Sequence, residues 1–216
     1  MSKDEISYDI KLVHSIYRGN TQILLELSQK NLENNKLEFE NYLKRDFSKD
    51  FNSQELSKLS NIDWIFLNSI YISLFSNFEN VLFKYARIVE DCSTSNIKIN
   101  DIRGQGHIDQ YRKYLELVGK IVVAKQIEPW KELEIYKLVR NKLTHEGGYL
   151  IRNKKSDLEQ KPEFKYLIEN KVLLPGSFGH IRIREIHFLE KFSELTLSLS
   201  TKLLNEISAL YKGQYR

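Results

Sequence analysis

Between Asn61 and Asp91 the apolar residues return at steps of three and four. Ile62, Ile65, Phe66, Ile70, Leu74, Phe75, Phe78, Leu82, Tyr85 and Val89 fall on one broad face, and a helix of about 3.6 residues per turn is what lines them up. A face that wide has to be covered by other helices, so the chain is committed to a helical bundle. With only 3 prolines and 9 glycines in 216 residues, little interrupts long helices. The uncharged stretch Trp64 to Phe78 is too short for an ordinary transmembrane helix and carries Asn68, Ser69, Ser73, Ser76 and Asn77, so it reads as a buried bundle helix and no membrane partner is expected.

The rest of the chain follows the same period. Ile10, Val13, Ile16, Tyr17, Leu24, Leu25 and Leu27 predict a helix from about Tyr8 to Lys30, interrupted at Gly19-Asn20. A more polar helix is predicted near Asn31 to Arg45, with Leu32, Leu37, Phe39, Tyr42 and Leu43 as its apolar positions. Together they make an N-terminal helical extension, 1–60, before a main helical domain, 61–216. A third helix is predicted at about His107 to Ala124. Another starts at Pro129, which suits a first turn, and stops at Gly147-Gly148. A short helix is expected around Glu163 to Glu169 and a long last one at about Ile186 to Tyr211. Val172-Leu173-Leu174, a Pro175-Gly176 turn and His180-Ile181-Arg182-Ile183-Arg184 suggest one small β-hairpin between them. The expected class is all-α.

Several function classes drop out. There is no Walker A sequence, no Gly-x-Ser-x-Gly elbow and no dinucleotide fingerprint. The five histidines, at 14, 107, 145, 180 and 187, do not pair with cysteine or acid at ligand spacing, so neither metal nor cofactor is expected. Cys92 is the only cysteine, which excludes an intrachain disulfide and points to a reducing compartment. The N-terminus MSKDEISYDIK has no apolar run of signal type, so a cytoplasmic location is expected. A net charge of +4 permits a nucleic-acid partner without demanding one. His107 follows Gly104-Gln105-Gly106 at a helix start, where amides can hold phosphate; a plain turn and cap is the preferred reading.

One run carries chemistry. In Leu138-Val139-Arg140-Asn141-Lys142-Leu143-Thr144-His145-Glu146-Gly147-Gly148 an apolar-patterned helix ends in a cation, an amide and a group that titrates near neutrality. Asn141 and His145, four apart, share a helix face, whereas Arg140 points about 140° away from His145 on a regular helix. RNA brings its own nucleophile, the 2′-hydroxyl. A positioned base can take its proton and a cation can stabilise the charge growing on phosphorus, with no metal. One histidine serves poorly as both base and acid, so a two-fold homodimer facing two such runs is the favoured arrangement. Arg-x4-His alone is weak: 10 arginines and 5 histidines give about 0.2 chance matches per spacing, and Arg182 to His187 is a second copy, read as incidental. The same run also reads as an ordinary helix C-terminus, with His145 capping and Arg140 solvated. Lys142, Tyr149, Arg152, Lys154 and Lys155 could line an RNA path, with Tyr149 for base stacking, though a solvated loop is the blander alternative.

The run resembles the Arg-Asn-x3-His signature of the HEPN superfamily, an all-helical group rich in ribonucleases. The segment Ser69 to Leu82, with Glu79 embedded in an apolar face, resembles the long helix that opens many such domains. The Gly106-His107 helix, the Trp130 helix and the terminal helix follow in family order, so the resemblance covers about Asp63 to Tyr211. It implies a HEPN-like bundle with Arg140, Asn141 and His145 as active-site residues and Glu79 as a polar partner near them; Glu79 could equally pair with a buried arginine. It further implies a metal-independent endoribonuclease with RNA as substrate, in a toxin or antiphage defence setting, with an antitoxin or defence-system partner. The alternative is a catalytically inactive HEPN dimer that binds RNA or protein. The resemblance departs in one place: where antitoxin-modified relatives carry a tyrosine two residues after the histidine, this chain has Gly147, and Tyr149 comes two later.

Overall fold

The computed structural model describes residues 3–45, 52–150, 162–173 and 179–213. Among them are seven α-helices and no strand: α1 (Lys3–Leu43), α2 (Ser53–Cys92), α3 (His107–Leu117), α4 (Val122–Lys125), α5 (Glu128–His145), α6 (Pro162–Glu169) and α7 (His187–Gly213), with a 3-10 turn at Ile99–Asp101. The all-α class read from the sequence is what the chain adopts. The chain gathers into two compact units, each built from separated segments: residues 1–21, 75–134 and 192–216 in the first, 22–74 and 135–191 in the second.

In the first unit the wide face of α2 meets α7. Phe75 stacks on Phe192 with ring centroids 5.8 Å apart, and Phe78 meets the same ring edge-on. The Tyr17 hydroxyl donates to Thr196 at 2.7 Å, and His14 Nδ1 lies 3.1 Å from the Tyr85 hydroxyl and 3.0 Å from Ser200 Oγ. These bonds satisfy several of the polar groups that the helices bury. The helix expected over His107 to Ala124 is broken in two. α3 ends at Leu117, Lys120 adopts a positive φ of 55°, and α4 restarts at Val122 with its first amides held by the Glu206 carboxylate.

In the second unit Tyr71, Tyr136 and Phe188 pack ring to ring. The Tyr71 hydroxyl donates to the Tyr136 carbonyl at 2.5 Å, and burial pushes its pKa well above the usual tyrosine value. The expected hairpin takes another form. Its turn lies outside the described residues, and His180 makes an isolated antiparallel bridge with Tyr149. The Arg182 amide donates to the Val172 carbonyl. The buried Asn68 side chain accepts from the Ile183 amide at 3.1 Å and donates to the Ile181 carbonyl at 3.5 Å. An amide side chain thus supplies the pairing that a neighbouring strand would give.

Candidate functional site

α5 carries Arg140, Asn141 and His145 through to its last residue, all within the second unit. Val139 and Tyr136 face the core, fully buried. Arg140 is half-buried, and its Nη1 donates to Asn141 Oδ1 at 3.0 Å, so cation and amide are in contact despite pointing to neighbouring sectors. His145 is exposed one turn beyond Asn141. Lys142, expected to touch RNA, is ion-paired with Glu146 at 2.7 Å.

The helix stops there for a local reason. The Glu146 and Gly148 amides both reach back to the Lys142 carbonyl, at 3.1 and 2.8 Å. This fold-back places Gly147 at φ +63° and Gly148 at φ +81°, a region side chains resist. Gly148 must be small for a second reason: a Cβ there would lie 3.3 Å from the His180 ring.

His180 organises the far side of this turn. Its ring stacks under Tyr149 at 4.7 Å and meets Trp64 edge-on at 5.6 Å. Arg182 Nε donates to its Nδ1 at 2.9 Å, while the Arg182 guanidinium sits 5.0 Å over the Trp64 ring. Desolvation first, and then the Arg182 charge, lower the His180 pKa, partly offset by a bond to the Gly147 backbone. The ring is thus held neutral with Nδ1 as acceptor. Nothing in the local sequence announces this role, because Trp64, Tyr149 and His180 come together only in the fold. Tyr149 keeps one face on His180 and is 41% exposed.

Glu79 belongs to the other unit. Its Oε1 lies 3.1 Å from Nδ1 of His107, whose ring stacks on Tyr111. The His107 helix start is a turn and cap: the Gln105 amide donates to Asp109 Oδ2 at 2.7 Å, placing a carboxylate where a phosphate would bind. Arg152, Lys154 and Lys155 lie outside the described residues. Among the described residues no three His, Cys, Asp or Glu side chains gather as metal ligands, and no helix is long and apolar enough to cross a membrane.

No protein-family model, curated protein or solved structure matches this chain.

Proposed function

We propose that this chain is a metal-independent endoribonuclease of the HEPN kind, with Arg140, Asn141 and His145 as its working residues. The observation that supports this reading most is the contact between Arg140 Nη1 and Asn141 Oδ1, one helical turn before an exposed histidine. His145 takes the 2′-hydroxyl proton, Arg140 stabilises charge on the phosphorane, and Asn141 orients the guanidinium. The products are a 2′,3′-cyclic phosphate and a 5′-hydroxyl, so DNA is not a substrate. A two-fold homodimer supplies the second histidine that protonates the leaving oxygen. The setting is toxin or antiphage defence, with an antitoxin or defence-system partner, and this rests on the family resemblance alone. We assign Glu79 no step, since it sits beside His107 and its place near the run is implied only by that resemblance.

A second reading has its own support. Lys142 is tied to Glu146, and Arg140 to Asn141, so most of the run's polar groups already have structural work. On that reading the chain is an inactive HEPN-like module that binds RNA or protein.

The experiment is RNA cleavage in EDTA by wild type, Arg140→Ala and His145→Ala, with product ends mapped. Cyclic phosphate ends from wild type, reduced about 10²-fold or more in His145→Ala, support the enzyme. RNA binding without cleavage supports the module, and equal cleavage by all three proteins sinks the assignment of the site.

A further inference from the structure

Within the first unit, a cavity of about 490 Å³ lies where α2 and α3 end beside α7. Val89, Val118, Leu210 and Tyr211 line it, together with Cys92 and the hydroxyl run Ser93-Thr94-Ser95. Gly119 completes the wall, and a side chain there has no room. A Cβ would stand 2.8 Å from the Leu115 carbonyl oxygen and 3.1 Å from Val89 Cγ1. The volume is that of a small-molecule site and far exceeds what one buried water fills.

The charge pattern around the cavity selects what it takes. Among the described residues, none that lines it is charged. Cys92 is the last residue of α2 and Val118 is the C-cap of α3, so the negative ends of two helices border the space. Neither helix carries a basic residue in its last turn. Asp91 and Glu116 stand in those turns, while Glu90 is already paired with Arg87. Lys120 follows Gly119 but does not line the cavity. Burial first, and then the Asp91 charge, raise the Cys92 pKa, so its sulfur is an uncharged thiol near neutrality. The hydroxyls add acceptors. Ser93 Oγ accepts from the Ser95 amide at 3.0 Å and Ser95 Oγ from the Ile97 amide at 3.1 Å, and each keeps a second lone pair. Helix-end carbonyls are acceptors too. An occupant that suits this lining brings N–H donors, positive charge and enough carbon to cover the aliphatic wall. We infer that the cavity binds a protonated aliphatic amine, its ammonium group at the ends of α2 and α3 and its chain against Val89, Val118 and Leu210. A carboxylate or phosphate meets the wrong ends of two helix dipoles. A bare metal ion leaves the aliphatic wall uncovered, and among the described residues no three His, Cys, Asp or Glu side chains gather to hold one.

This inference does not rest on the ribonuclease reading. The working residues of that reading belong to the second unit, and the test reads binding rather than cleavage. The full chain is titrated by calorimetry near neutral pH and at about 0.15 M salt with n-butylamine, 1-butanol and butyrate, which match in size and differ in charge. The amine is protonated under these conditions. We expect one butylammonium per chain, bound about tenfold or more tighter than butanol, and no binding of butyrate. Butylamine also slows the reaction of Cys92, the only cysteine, with uncharged methyl methanethiosulfonate, whereas butyrate does not. Leu210→Lys brings a tethered ammonium to the cavity and abolishes butylamine binding, while Leu210→Met keeps it. Val118→Phe fills the space without charge and abolishes binding as well, which keeps the test decisive if the lysine variant does not fold. Helix content by circular dichroism identifies the folded variants. An absence of butylamine binding, equal binding of butanol, or binding unchanged in a folded Leu210→Lys or Val118→Phe protein overturns the proposal.

Discussion

At the scale of single residues, the turn that ends α5 is governed by two glycines with unequal demands. Both have positive φ, but only at Gly148 does a Cβ also press on the His180 ring, at 3.3 Å. Gly147→Ala therefore costs about 1 kcal/mol from conformation alone. Gly148→Ala costs more, about 1–3 kcal/mol, and disturbs the Tyr149–His180 stack as well. Urea midpoints of the two variants check the order, and a Gly147 variant weaker than Gly148 contradicts this account. The histidines give a second residue-level expectation. Burial first, then Arg18 for His14 and Arg182 for His180, lower both pKa values from 6.5. The folded state binds these protons more weakly than the unfolded chain. Their contribution is therefore complete above pH 6.5 and is lost as pH falls below it. Unfolding free energy measured from neutrality down to about pH 5 should fall more steeply in wild type than in a His14→Gln, His180→Gln double variant; equal slopes count against the assignment.

At the scale of elements, Asn68 shows how one polar side chain on an apolar helix shapes a neighbouring segment. Its Oδ1 is the acceptor for the buried Ile183 amide. Asn68→Leu keeps the volume but orphans that amide, at about 1–3 kcal/mol, measurable by denaturation; a neutral result means the 181–183 backbone re-pairs elsewhere. The sequence identified Asn68 only as a reason against a membrane span, because its partner lies more than a hundred residues away. Helices with a strong apolar period were legible: α5 stops at the expected glycines, and α6 and α7 lie within a residue or two of their predicted ends. α2 begins eight residues before the predicted start, at an Asn52 cap whose Oδ1 accepts from the Gln54 and Glu55 amides. That first stretch is too polar for its period to stand out. The pattern predicts a helix to Lys30, interrupted at Gly19-Asn20, and a second from Asn31, where the chain forms one helix of 41 residues. A single helical glycine costs only about 1 kcal/mol, less than the buried face on both sides of it contributes. That face was hard to read because half of it is polar and locally satisfied: Thr21 and Ser28 donate to carbonyls one turn back, and Asn35 to the Asn31 side chain. Of the candidate site, the Arg140–Asn141 neighbourhood follows from adjacency in sequence. The His180 layer is invisible there because it depends on long-range packing.

At the scale of the whole molecule, the two units are interleaved in the sequence. α1, α2, α5 and α7 each contribute residues to both, since the boundaries fall near 21, 74, 134 and 191. An α-helix is held by a ladder of bonds along its length, so melting one end of a shared helix removes turns that stabilise the other. Unfolding of either unit should therefore carry the other with it, unlike domains joined by a linker, which can melt separately. The chain supplies its own reporters, because Trp64 belongs to the second unit and Trp130 to the first. In Trp64→Phe the remaining indole, buried Trp130 with its Nε1 bonded to the Val123 carbonyl, reports the first unit alone. In Trp130→Phe, Trp64 beneath Arg182 reports the second. Within each single-tryptophan protein, the urea midpoint by fluorescence should coincide with that by far-ultraviolet circular dichroism, which sees every helix. The substitutions themselves change stability, so the comparison is between probes of one protein. A fluorescence transition displaced from the helical one in either protein means that the shared helices fray at the unit boundary and the two units unfold in separate steps.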